Sequence, residues 1–348
     1  EVTALISLYR PGPMELIPDF IARKHGLKQI EYLHPKLEPI LANTYGIAVY
    51  QEQVLRMARD LAGFTLPEAD TLRKAVGKKI KELLDEQEKK FIEGCIKNKI
   101  PEGTAKKLFS FIEPFARYGF NRAHAACYAT IAYRTAYLKA NYPAEFMASL
   151  LTADHGNTDR IAIEVEECKQ MGIEILPPDI NESKGDFTVI DSKTIRFGLE
   201  AVKNLGHNVI LKIIETAPFA SLEDFLQKVN TKDLNKKSLE ALIKCGALDR
   251  FASRNRLLYN LERILRFSKE ESEAASRGQA SLFGDTEPAP SLKLDDAPED
   301  ASGDKMNNLY MLWEKELLGL YLSEHPLDRH RDYLSLHTVS TNDLQENF

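Results

Sequence analysis

Apolar residues recur at helical spacing along most of the first half of the chain. In the run Tyr45 to Ala62, Val49, Val54, Leu55, Ala58, Leu61 and Ala62 suit one buried face after a short extended entry, which predicts a helix. Another helix is expected from about Leu66. From Lys79 to Lys99, Ile80, Leu83, Leu84, Phe91, Ile92, Cys95 and Ile96 keep the same period with charges opposite, the mark of a solvent-facing helix. Asn121 is placed to N-cap a helix reaching about Asn141, and Pro143 suits the first turn of the next. Residues 1 to about 50 are broken by Pro11, Gly12, Pro13, Pro18, Gly26, Pro35 and Pro39, so only short helical pieces are expected there.

The period changes after Pro177 and Pro178. Phe187 to Ile190 and Thr194 to Phe197 alternate and are β-branched around Asp191-Ser192, predicting a small hairpin. Helical spacing resumes at Val202 and continues to about Lys269, punctuated by Gly206 and Gly246. From Lys269 to Asp304 ten acidic residues face only Lys269, Arg277 and Lys293, a composition that predicts a disordered linker. An amphipathic helix around Trp313 to Leu322 follows. The expected fold is mainly α: a helical domain over 1–175, a small α+β domain over 176–268, the acidic linker over 269–304 and a C-terminal segment over 305–348.

Composition narrows the classes. With 348 residues, 43% of them hydrophobic, the chain can bury a core and has room for two domains. The net charge of -6 argues against a uniformly basic nucleic-acid binder, although it averages over segments of opposite sign. Cys95, Cys127, Cys168 and Cys245 are too scattered for a zinc site or a disulfide framework. The absence of a long apolar run or a leading signal segment gives the expectation of a reduced, cytoplasmic protein with no membrane partner. Beginning at Glu1, the chain reads as an excised piece.

Three constellations carry candidate chemistry. Arg73, Lys74, Lys78, Lys79 and Lys81 lie in a stretch whose only acid is Asp70, a cluster suited to phosphate oxygens but equally found in a solvated lysine-rich turn. Between Pro114 and Ala144 there is no Asp or Glu, and Arg117, Arg122, His124, Arg134 and Lys139 are interleaved with Tyr118, Phe120, Tyr128, Tyr133, Tyr137 and Tyr142. Positive charge among aromatic rings suits stacked bases and phosphates. Tyr118 and His124, beside Gly119, are the candidates there, whereas Tyr133 and Tyr137 are expected in a helix core. The third is a glycine turn at Leu205-Gly206-His207, flanked by Lys203 and Lys212, where backbone N–H groups can grip a phosphate without reading sequence. No motif for a nucleophile or for metal ligands is present, and Asp295-Asp296 and Glu299-Asp300 read as solubilising charges.

LYRPGPM (Leu8 to Met14), the F-I-x-R-K-H-G run of Phe20 to Gly26, YGIAVYQEQV (Tyr45 to Val54), the AD-x-LRKAVGKK run of Ala69 to Lys79, YGFNRAHAACYA (Tyr118 to Ala129), YPAEFMASLL (Tyr142 to Leu151), ILPPDIN (Ile175 to Asn181) and LGLYLSEHPL (Leu318 to Leu327) together resemble the C-family DNA polymerases, specifically the DNA polymerase III alpha subunits. The resemblance covers nearly the whole chain in the family's order. It implies a helical fingers domain, then a tandem helix-hairpin-helix domain on duplex DNA. It further implies nucleotide-facing roles for Arg10, Arg73, Lys74, Lys78, Lys79, Tyr118 and His124, and duplex contacts by Lys203, Leu205, Gly206, His207 and Lys212. Lys74 stands where many relatives have arginine, which keeps the charge but loses a bidentate contact. Gln279, Ser281, Leu282 and Phe283 resemble the peptide that hooks the beta sliding clamp.

The implied partners are primer-template DNA, deoxynucleoside triphosphates, the clamp and other replicase subunits. The implied cofactor is Mg2+ held by palm residues outside this chain, so no catalytic residue is expected within it, and the piece alone is expected to be inactive. A stand-alone DNA-binding and clamp-tethering adaptor, or an error-prone paralogue, remain the alternatives at this point.

Overall fold

The structure, a computed structural model, describes residues 1–78, 81–229, 233–277, 292–297, 304–323 and 326–339. The chain divides into two compact units, Glu1–Tyr137 and Leu138–Phe348.

In the first unit the turn-rich start yields α1 (Val2–Leu8), α2 (Ile17–Lys24) and the short α3 (Glu38–Leu41), joined by 3-10 turns. Then come α4 (Gln51–Ala62), α5 (Leu66–Lys78), α6 (Lys81–Lys97), α7 (Glu102–Tyr118) and α8 (Arg122–Asn141), which runs on into the second unit. The apolar stripes of α4 to α7 face inward, burying Val54, Met57, Leu61, Leu72, Val76, Phe91, Cys95, Leu108 and Ile112 in one cluster. A Cβ on Gly94 of α6 would lie 2.1 Å from the carbonyl oxygen of Ala62 at the end of α4, so this approach requires glycine.

A smaller cluster of Ala4, Leu8, Phe20, Ile47, Val49, Tyr50 and Ala125 joins α1, α2 and the extended run Ile47 to Tyr50 to the start of α8. Tyr50 and Phe120 form a parallel bridge, in which Phe120 N–H donates to Val49 O (3.1 Å) and Gln51 N–H to Phe120 O (3.0 Å). Asn121 caps α8 as expected, its Oδ1 accepting from His124 N–H at 2.8 Å. The expectation that Tyr133 and Tyr137 lie in a core fails: they are 67% and 51% exposed, and Ala125 alone is buried on α8. Its apolar residues are spread around the whole circumference, so no single stripe faces a neighbour.

The second unit opens with α9 (Pro143–Ala153), with proline at its first position, and α10 (Thr158–Gln170), capped by Asn157. The expected hairpin is present as β2 (Thr188–Asp191) and β3 (Thr194–Arg196), but it is part of a three-stranded sheet ordered β1-β3-β2. The additional strand, β1 (Glu174–Leu176), pairs in parallel with β3, Ile175 opposite Ile195. Three residues ahead of two prolines are too few to show a period.

The remaining helices are α11 (His207–Thr216), α12 (Leu222–Lys228), α13 (Lys236–Lys244), α14 (Arg254–Tyr259), α15 (Leu261–Arg277), α16 (Asp304–Leu318) and α17 (Arg331–His337). Met147, Leu151, Ile161 and Val165 from α9 and α10 share one core with Ile195, Phe197, Val209, Ile213, Phe225, Leu242, Ile264 and Leu318. That shared core places α9 and α10 with the second compact unit.

The ILPPDIN run ties this unit together. Ile180 N–H donates to Ala247 O (2.9 Å), the Asn181 side chain bonds both Phe219 O and Phe219 N–H (2.9 Å each), and Asp179 Oδ2 meets Arg250 Nε at 3.1 Å. Several expectations for the C-terminal third change. The helix predicted to end near Lys269 continues to Arg277, and Leu292 to Asp296, placed by sequence in the linker, docks on α14 and α15. There Asp295 chelates Arg263 (2.7 and 2.9 Å) and pairs with the Asn260 amide, while Asp296 lies 3.2 Å from Arg256. These acids are therefore structural partners beyond being solubilising charges. The helix expected at Trp313 to Leu322 is instead α16, which ends before Gly319 at φ 82°.

Within α16, Glu314 is 1% exposed. Its Oε1 pairs with Arg254 Nη1 at 3.1 Å, and its Oε2 accepts from Leu322 N–H, Ser323 N–H and Ser323 Oγ, each at 3.0 Å. Arg254 also holds Asp249 at 3.0 Å and the Lys244 carbonyl at 3.2 Å. Gly246, at φ 87°, leaves the space for this guanidinium, since a Cβ there would lie 2.4 Å from Arg254 Nη2.

Candidate functional site

In the first unit, Phe120, bridged to Tyr50, helps line a cavity of about 390 Å3 together with Arg10, Pro11, Pro13, Gln51, Gly119, Asn121 and His124. Arg10 stands on the turn after α1, its guanidinium 4.7 Å over the Phe120 ring. His124, in the first turn of α8, sets its ring 5.3 Å from Phe120 and 4.8 Å from Tyr128. A second cavity of about 440 Å3, sharing Pro13 and Gly119, is walled by Leu8, Leu16, Ala48 and Val49. Thus Arg10 and His124, far apart in sequence, meet around one aromatic ring. The lining of the first cavity has two cationic or ionisable groups and no carboxylate, a setting suited to an anionic or planar ligand.

The basic cluster of α5 is less free than its composition suggests. Asp70 takes Arg73 Nη2 at 2.8 Å and Lys74 Nζ at 2.7 Å. The hydrogen bond from Lys74, then that from Arg73, holds the Asp70 carboxyl below its ordinary value. A phosphate recruited here would displace Asp70 from one of them. Neither residue lines the cavity of Arg10 and His124. Lys78 closes α5 and Tyr118 closes α7, their side chains lying outside the described residues, as does Lys79 altogether. Sequence reasoning did not single out Gln51, Phe120 and Asn121 as site residues, although all three sit inside the quoted YGIAVYQEQV and YGFNRAHAACYA runs.

In the second unit, Lys203 to Gly206 form an exposed loop leading into the exposed first residues of α11, with Leu205 half-buried against the core. Gly206 is the N-cap of α11 and supplies no side-chain acceptor, so the first N–H groups of this ten-residue helix face outward. The Lys203 N–H is held by Leu317 O of α16 at 3.0 Å, and its side chain is exposed. Acids temper the charge of the loop: His207 Nδ1 lies 2.5 Å from Glu200 Oε1, Asn208 donates to Asp233 at 3.1 Å, and Lys212 is 3.7 Å from Glu215. Gln279, Ser281, Leu282 and Phe283 lie outside the described residues.

Comparison with known proteins agrees with this geometry. Residues 1–99 match the family model of the bacterial DNA polymerase III alpha subunit finger domain, and residues 172–258 match that of the helix-hairpin-helix motif. Along the chain, a finger-domain match is thus followed by a helix-hairpin-helix match. The chain is 42% identical to DNA polymerase III subunit alpha of Thermus aquaticus, over 99% of this chain and 28% of that protein. The same subunit of Borreliella burgdorferi gives 43% over 95% and 29%, and that of Chlamydia trachomatis 44% over 94% and 27%. The chain belongs to the bacterial DNA polymerase III alpha subunit family and spans less than a third of the length of these relatives. Among the described residues no helix is long and apolar enough to cross a membrane.

Proposed function

We propose that this chain serves template-directed DNA synthesis in bacterial chromosome replication, with residues 1–175 working as fingers on the incoming deoxynucleoside triphosphate and residues 176–268 gripping duplex primer-template DNA. One observation carries the reading: Arg10, Phe120 and His124 converge on one open cavity within the compact unit whose residues 1–99 match the finger domain. Arg10 would hold phosphate and His124 would sit beside it, with Arg73, Lys74, Lys78, Lys79 and Tyr118 adding charge and a ring. At the second site the outward N–H groups of Gly206 and His207, with Lys203, Leu205 and Lys212 around them, would hold the DNA backbone without reading sequence.

Among the described residues no group of three or more His, Cys, Asp or Glu could hold a metal ion. The Mg2+ of nucleotidyl transfer would be held by palm residues outside this chain. Gln279, Ser281, Leu282 and Phe283 would hook the beta sliding clamp, with other replicase subunits joining elsewhere, in the cytoplasm. The deciding measurement is steady-state kinetics of the intact polymerase carrying Arg10→Ala. The expected result is a nucleotide KM raised about tenfold, the loss of one charge-assisted contact. An unchanged KM and kcat would overturn the assignment.

A further inference from the structure

The residue triplet Gln51-Glu52-Gln53 opens α4 next to the cavity of Arg10 and His124, and only Gln51 lines that cavity. Gln53 is 7% exposed and fully bonded: its Oε1 accepts from Val49 N–H (2.8 Å) and Tyr50 N–H (2.9 Å), and its Nε2 donates to Thr44 Oγ1 (2.8 Å) and Ile40 O (3.2 Å). It therefore fixes the extended backbone that bridges to Phe120. Glu52 reaches the other side of that bridge. Both its carboxylate oxygens lie 3.1 Å from the N–H of Arg122, the first residue of α8, and the Arg122 guanidinium lies 5.6 Å over the Tyr50 ring.

The first turn of α8 is thus capped twice, by Asn121 on the His124 N–H and by Glu52 on the Arg122 N–H. One cap is local and one comes from another helix. A negative charge at this end also matches the dipole of a 20-residue helix. The local cap sets where the helix starts. The distant cap sets where that start sits relative to α4, the bridge and the Phe120 ring.

From this geometry we infer that Glu52 is a positioning residue for nucleotide binding, locking the α8 N-terminus that carries His124 to the bridge buttressed by Gln53. Glu52 acts through the helix and does not line the cavity. The inference rests on the nucleotide-site reading of that cavity.

The test uses the intact polymerase with Glu52→Ala, Glu52→Gln and, as a reference for the site itself, Arg10→Ala. Glu52→Ala should raise the nucleotide KM about fivefold, the equivalent of one lost helix cap, with kcat changed less than KM. Glu52→Gln keeps an oxygen acceptor on the Arg122 N–H and should recover most of the loss. Hydrogen exchange at the amides of Arg122 to Ala125 should quicken in Glu52→Ala and not in Glu52→Gln, which a general loss of stability would not confine to those amides. If Arg10→Ala raises KM while Glu52→Ala leaves it and the exchange pattern unchanged, the positioning role is wrong and the site stands. If Arg10→Ala has no effect, the site reading itself fails, and a quickened exchange in Glu52→Ala would then support only a structural cap.

Discussion

Replacing Glu314 with Ala removes one member of a buried ion pair and leaves the other. Arg254 has a side chain only 7% exposed, so it cannot turn to water for compensation. Breaking a buried pair from one side costs roughly 3–5 kcal/mol. Arg254 keeps Asp249 at 3.0 Å and the Lys244 carbonyl, which places the expected loss near the lower bound, about 3 kcal/mol. The N–H groups of half-buried Leu322 and exposed Ser323 lose their acceptor but can take up water. For a unit of this size each kcal/mol moves Tm by about 2–4 °C, so a drop of roughly 6–12 °C is expected. The assay is built into the chain. Trp313 is its single tryptophan, next to Glu314, with the Lys244 ammonium 5.6 Å from its ring, so its fluorescence reports the docking of α16. Glu314→Gln, which keeps one oxygen for Arg254, should fall between wild type and Glu314→Ala. A drop below about 2 °C for Glu314→Ala, under 1 kcal/mol by the same conversion, would show that the pair contributes little and that α16 is held by its apolar face alone.

Glu164 of α10 is 5% exposed, and burial, reinforced by the neighbouring Asp154, pushes its carboxyl up to about 7. Between the ordinary value of 4.5 and about 7 the folded state binds the additional proton, so this contribution to stability is full at low pH and is lost as pH rises through that window. Glu164→Gln should therefore flatten the fall in Tm between about pH 5 and about pH 8, and an identical fall in both proteins would refute the assignment. Cys127 is exposed whereas Cys95, Cys168 and Cys245 are buried, with burial pushing their thiols up to about 11, 12 and 12. Mass spectrometry after brief native alkylation should find the label on Cys127, and equal labelling at the other three would contradict the described packing. A Cβ on Gly206 would meet no atom within 4 Å, and its φ of -82° is ordinary, so Gly206→Ala should fold normally. It should nonetheless weaken duplex binding at low salt by crowding the phosphate; unchanged affinity would remove the loop from the DNA surface.

What the sequence made legible follows the range of the interactions involved. The stripe on α4 and the Asn121 cap depend on residues within a turn or two, and both are present as read. The docking of Leu292 to Asp296 depends on Arg256, Asn260 and Arg263, some 30 to 39 residues away, and an acidic composition says nothing about such partners. Charge counting found the cluster at Arg73 and Lys74 but not its capture by Asp70, because pairing depends on rotamers as well as spacing. The exposure of Tyr133 and Tyr137 was misjudged for a related reason: an apolar residue is buried only if another element covers it, and period alone does not supply the cover. Arg10 and His124 were named from separate motifs. Their meeting required the bridge between Tyr50 and Phe120, a contact without a sequence period of its own.

The hydrogen bond from Lys203 N–H to the Leu317 carbonyl gives α16 a mechanical role. The helix is fastened at Glu314 to Arg254 and, less than one turn later, at Leu317 to the turn that leads into Gly206. Tension drawn along α16 from its C-terminal side therefore loads Lys203 and Glu314 together, in shear, instead of peeling one residue at a time. The turn at Lys203 and the helix are thereby loaded as one, and a tug on either end is felt at the other.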